Sequence, residues 1–86
     1  MGIHFDNYDD ALAGYAIDIM DVPREYLPPW VNSNKDIREY RIGYLMDRMD
    51  DEGYRINEDT AIVALNRARN TLRRMYGADW YEARRL

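Results

Sequence analysis

The stretch from Asn57 to Gly77, NEDTAIVALNRARNTLRRMYG, constrains this chain more than any other. Ala61, Leu65, Ala68, Leu72 and then Met75 or Tyr76 recur at steps of four and three, which draws one apolar stripe along a helix. Asn57 is placed to cap its start. Glu58 and Asp59 set negative charge in the first turn, Arg73 and Arg74 set positive charge in the last, and Gly77 can take a left-handed stop. The pattern predicts a helix over 58–76. A helix with one apolar stripe is held chiefly by what covers that stripe, so the rest of the chain has to supply partners.

It offers two. Asp6 is placed to cap a helix over 7–21, with Asp9 at the capping-box position. Tyr8, Leu12, Tyr15 and Ile19 form its stripe, broadened by Ala16 and Met20, and Gly14 suits a close helix approach. Ser33 opens another helix over 34–52, with Asp36 three residues on. Its face is Ile37, Tyr40, Tyr44, Leu45 and Met49, widened by Ile42 and Met46, and Gly53 ends it. Only a short link joins Gly53 to Asn57, which predicts an antiparallel hairpin. Between the first two helices lies VPREYLPPWVNSN. There Pro23 can begin a single turn, Pro28 and Pro29 hold the chain extended, and Tyr26, Leu27 and Trp30 can plug the bundle. After Gly77, Asp79 and Glu82 can cap a last short turn over 80–85 with Trp80, Tyr81 and Leu86.

The expected fold class is therefore all-α: a three-helix bundle with a proline-rich connection and a short C-terminal turn, one domain over 1–86. Eighty-six residues suffice for one modest core. With 47% hydrophobic and 33% charged residues the chain is suited to folding rather than to disorder. No apolar run approaches the roughly 20 residues that span a bilayer. MGIHFDNYDD lacks the basic and then apolar regions of a secretory signal, and there is no cysteine, which together point to a cytoplasmic protein.

The residue inventory argues against catalysis. His4 is the sole histidine and lies in the N-terminal arm with Ile3 and Phe5; Ser33 is the sole serine and is already placed as a cap. Histidine triads, zinc sites and phosphate-cradling glycine loops thus lack parts, and no cofactor or metal is expected. The segment DRMDDEGYRINED resembles a calcium loop, but setting Gly53 at loop position 6 puts Arg48 where the first carboxylate ligand belongs.

Charge is unevenly spread. Residues 1–60 hold 14 of the 16 acids and 6 of the 12 bases, a balance of −8; residues 61–86 hold 2 acids and 6 bases, a balance of +4. Asp47, Asp50, Asp51 and Glu52 crowd the end of the second helix, where the helix dipole is already negative, and Asp18 and Asp21 repeat the pattern at the end of the first. Either arginines such as Arg48 and Arg55 neutralise these acids across the hairpin, or the acids form a patch for a partner. Eight tyrosines and two tryptophans exceed what so small a core must bury, which makes Trp30, Tyr26 and Tyr54 candidate aromatic contacts with that partner. The main alternative is a DNA- or RNA-binding regulator gripping phosphates with Arg67, Arg69, Arg73, Arg74, Arg84 and Arg85. A second is an oligomeric structural or assembly protein.

From Tyr40 to Glu82 the chain resembles small phage-borne inhibitors of bacterial defence, the anti-CRISPR proteins and the Ocr-type anti-restriction proteins. Met49, Glu52 and Gly53 close one helix, Glu58 and Asp59 start the next, Ile62, Leu65, Ala68 and Arg69 lie within it, and Trp80 follows. Ocr-type proteins are more acidic throughout, whereas this chain ends in arginines, so what carries over is a local acidic patch. The resemblance implies a non-catalytic inhibitor, a DNA mimic over part of its surface, that binds a host nucleic-acid enzyme or complex, as a monomer or a homodimer.

Overall fold

Capping side chains set where each helix begins. The computed structural model describes residues 7–77 and contains three helices: α1 (Tyr8–Met20), α2 (Asn34–Asp51) and α3 (Glu58–Tyr76). Ser33 Oγ accepts the Asp36 N–H at 3.1 Å and Asn57 Oδ1 accepts the Thr60 N–H at 2.8 Å, as the sequence predicts for α2 and α3. At α1 the cap is one residue later than expected. The cap is Asn7, whose backbone is extended and whose Oδ1 accepts the Asp10 N–H at 2.8 Å. Asn7 also donates from Nδ2 to the Asp10 carboxylate at 3.2 Å, so Asp10 rather than Asp9 is the acid that pairs with the cap.

The end of α2 is a Schellman stop. Gly53 has φ 86°, its N–H bonds to the Asp50 carbonyl at 2.9 Å, and the Tyr54 N–H reaches back to the Met49 carbonyl at 2.9 Å. Residues 52–57 therefore form the bend of a hairpin, and α3 folds back along α2. Gly77 also has positive φ, 98°, but with ψ 167°, so the chain leaves α3 extended rather than in a left-handed helical turn.

The connection between α1 and α2 differs from expectation. Pro23 does lead into a single 3-10 turn, Arg24–Tyr26. Pro28 and Pro29, however, do not hold the chain extended: the Val31 N–H bonds to the Pro28 carbonyl at 2.9 Å, closing a four-residue turn with Pro29 in the second place, where its fixed φ is favoured. That turn carries Leu27 and Val31 into the core and leaves Tyr26 and Trp30 outside, 79% and 66% exposed. They are not plugs.

The core lies along the common axis of the three helices. Met20, Leu45, Met49 and Leu72 are its largest fully buried side chains, each contributing about 1.5–3 kcal/mol by burial. Around them sit Ala11, Tyr15, Ala16, Ile19, Ile37, Ile42, Ala61, Ala64, Leu65 and Ala68. The stripes of α1 and α2 are partly rotated from their predicted positions, while that of α3 holds at Ala61, Leu65, Ala68 and Leu72 and is only shorter. On α1, Ala11 is buried while Leu12 is only half-buried and Tyr8 is exposed, its ring meeting Tyr54 rather than entering the core. On α2, Tyr40 and Tyr44 are half-buried and Arg41 takes a core position with 8% exposure. On α3 the stripe ends at Leu72, and Met75 and Tyr76 stand out from the surface beyond the reach of α1 and α2. The arm with Ile3, His4, Phe5 and Asp6, and the C-terminal turn at 80–85, lie outside the described residues.

Candidate partner-binding surface

Two ring contacts orient the bundle. Tyr54, just past the end of α2, meets Tyr8, at the start of α1, edge to face at 5.3 Å, so α1 runs antiparallel to α2 with its start beside the end of α2. The short link places the start of α3 at that same end. One pole of the bundle therefore gathers Asp9 and Asp10 of α1, Asp50, Asp51 and Glu52 of α2, and Glu58 and Asp59 of α3. The negative C-terminus of α2 sits beside two positive helix N-termini, which offsets part of the local misplacement of its acids. Sequence reasoning used Asp9, Asp10, Glu58 and Asp59 only as helix starts; the signal that they join a larger patch was the short link, which puts Glu58 and Asp59 next to Glu52.

From this pole an acidic stripe runs down the outside of α2. Asp36, Glu39, Gly43, Asp47 and Asp50 follow at steps of three and four, on the side away from Leu45 and Met49. Asp47, Asp50 and Asp51 are exposed and Glu52 half-buried, and none of the four forms an ion pair among the described residues. Arg48 does not neutralise them. Its guanidinium carbon lies 4.7 Å from the ring centroid of buried Tyr15, and its Nε is buried without a hydrogen bond among the described residues. From Asp36 to Asp51 the helix rises about 22 Å, and its acids fall in two groups, Asp36 with Glu39 and Asp47 with Asp50 and Asp51, separated by about 12 Å of axis at Gly43.

An aromatic groove of about 440 Å³ lies beside this stripe. Trp30 stands edge-on to Tyr40 at 5.8 Å, Tyr44 continues the wall, and Gly43 leaves its floor open: a Cβ built there meets nothing within 4 Å. Asp36, Glu39 and Asp47 rim it.

The remaining sequence candidates are dispersed. Asp18 and Asp21 lie at the other end of α1 from the acidic pole; Asp18 is exposed, while Asp21 is half-buried and engaged. Tyr26 is exposed on its own 3-10 turn, and Tyr54 is half-buried against the core and Tyr8. Arg67, Arg69, Arg73 and Arg74 are all exposed but do not share a face. Arg67 lines a groove between α1 and α3 with Asp9, Asp10 and Asp59, whereas Arg69 lines a cavity on the other side of α3 with Arg24, Arg38 and Arg41. Arg84 and Arg85 lie outside the described residues. Arg24, Arg38 and Arg41 did not stand out in the sequence, because the cavity is formed where the 3-10 turn, α2 and α3 meet and no local pattern encodes that meeting.

No protein-family model, curated protein or solved structure matches this chain. Among the described residues no helix is long and apolar enough to cross a membrane.

Proposed function

We propose that this protein is a non-catalytic inhibitor that docks on a nucleic-acid-handling protein and occupies its basic groove. The observation that carries this reading is the acidic pole continued along α2. Asp47, Asp50 and Asp51 are exposed and unpaired among the described residues, in line with Asp36 and Glu39 and beside the Trp30–Tyr40 groove. Spaced carboxylates supply phosphate-like charge to a cationic surface, and the exposed tryptophan supplies the aromatic anchor that fixes the register. In its most specific form the target is a bacterial defence complex and the protein a phage product, of the anti-CRISPR or anti-restriction kind.

The test compares the protein with a variant carrying Asp47→Asn, Asp50→Asn and Asp51→Asn. Each is used to capture partners from a bacterial host lysate, and the captured partner is loaded with labelled duplex DNA. The reading requires that the wild-type protein displace the duplex, with an affinity that falls as salt rises, and that the variant displace it far less well. Equal displacement by the variant, or a partner with no nucleic-acid site, refutes it.

A further inference from the structure

The cavity of about 420 Å³ between the end of α1, the first half of α2 and the middle of α3 is chemically unlike the rest of the surface. Arg24, Arg38, Arg41 and Arg69 line it, and no carboxylate does among the described residues, although the chain as a whole carries −4. Arg24, Arg38 and Arg69 are exposed at its edge, and they come from three separate elements. Like charges brought together in this way repel, which a purely structural role would not call for. The floor is apolar: buried Ile37 and Leu65 and half-buried Ile62 share the lining. Asn34 and Asn66 add two carboxamides to the lining.

We propose that this cavity binds a small organic phosphate of the nucleotide class. Guanidiniums present paired N–H donors that match the oxygens of a phosphate, and three of them suit a group with more than one negative charge. An inorganic ion would leave the apolar floor unused; a nucleoside covers it. A carboxamide offers a donor and an acceptor side by side, the arrangement that reads the edge of a purine. The volume lies within the usual span for small-ligand pockets, about 300–1,000 Å³. The site is separate from the acidic stripe, and its occupation does not depend on the inhibitor reading.

Isothermal titration calorimetry of the full chain with ADP, AMP, adenosine and inorganic phosphate tests the assignment. The expected result is one molecule of ADP per chain, with adenosine and inorganic phosphate each binding at least about tenfold more weakly. Arg38→Gln and Arg69→Gln, both at exposed positions, each weaken ADP by about ten- to a hundredfold. Arg55→Gln, exposed in the link between α2 and α3 and outside the cavity lining, leaves the affinity unchanged, and circular dichroism checks that all three variants fold. The absence of heat at millimolar ADP overturns the proposal, as does equal affinity in the Arg38 and Arg69 variants. Inorganic phosphate binding as tightly as ADP removes the organic body from it. Tighter binding of duplex DNA than of ADP, lost in the same variants, reassigns the cavity to a nucleic-acid backbone and equally overturns it.

Discussion

Alanine at two glycines of α2 and its stop should have opposite effects on stability. Gly43 lies mid-helix without a positive φ, and a Cβ added there meets nothing within 4 Å. The substitution Gly43→Ala therefore brings no clash and restricts the unfolded chain, so it should stabilise by about 0.5–1 kcal/mol. Gly53 has equally open space around a built Cβ, but φ is 86°. There Gly53→Ala forces an L-residue into the left-handed region at a cost of about 1–2 kcal/mol. For a domain of this size each kcal/mol moves Tm by about 4–8 °C, so Gly43→Ala should raise it by about 2–8 °C and Gly53→Ala lower it by about 4–16 °C. Urea and thermal melts followed by circular dichroism give both signs. Effects of the same sign at the two positions would refute the reasoning, since space is open at both and only backbone conformation separates them. The Gly43 variant carries a further consequence: if the groove beside Trp30 docks a partner, the stabilised protein should bind it less well, because the added methyl stands on the groove floor.

Truncation should track burial rather than hydrophobicity. Met49→Ala and Leu72→Ala, at fully buried positions, should each cost about 2–5 kcal/mol in denaturant melts, whereas Met75→Ala, at an exposed one, should fall within about 0.5 kcal/mol of wild type. Asn57→Ala removes the acceptor of the Thr60 N–H and should cost about 1 kcal/mol, and Asn57→Asp should recover most of it; a neutral alanine variant would show that the cap is not used. A double-mutant cycle with Arg48→Met and Tyr15→Leu should return a coupling of about 0.5–2 kcal/mol for the cation over the ring, and additive effects would show that the contact contributes only packing.

Much of the fold was legible because helix ends are local. The Ser33 and Asn57 caps and the Gly53 stop each rest on residues within four or five positions of one another, and each appears where the sequence placed it. The α1 cap slipped by one residue because Asp6 and Asn7 are both competent caps, and Asn7 gains a second bond to the Asp10 side chain. The candidate surface was less legible. Asp47, Asp50 and Asp51 stood out because they contradict the helix dipole, but that contradiction cannot reveal whether another element supplies cations.

By itself, then, the chain determined which segments are helical, where each begins and stops, and that three of them must share one core. Only the tertiary structure decided how far each helix is turned about its own axis. The apolar faces are broad enough that Ala11 displaces Tyr8 and Leu12, and Arg41 enters where a tyrosine was expected, once the neighbouring helices fix the closest approach. It alone decided that a proline turn points Trp30 outward, that acids of three helices meet at one pole, and that four arginines from three elements surround one cavity. The reason is physical. A helix is closed by hydrogen bonds between residues near in sequence, whereas a surface or a cavity is made by side chains that become neighbours only when the core is packed.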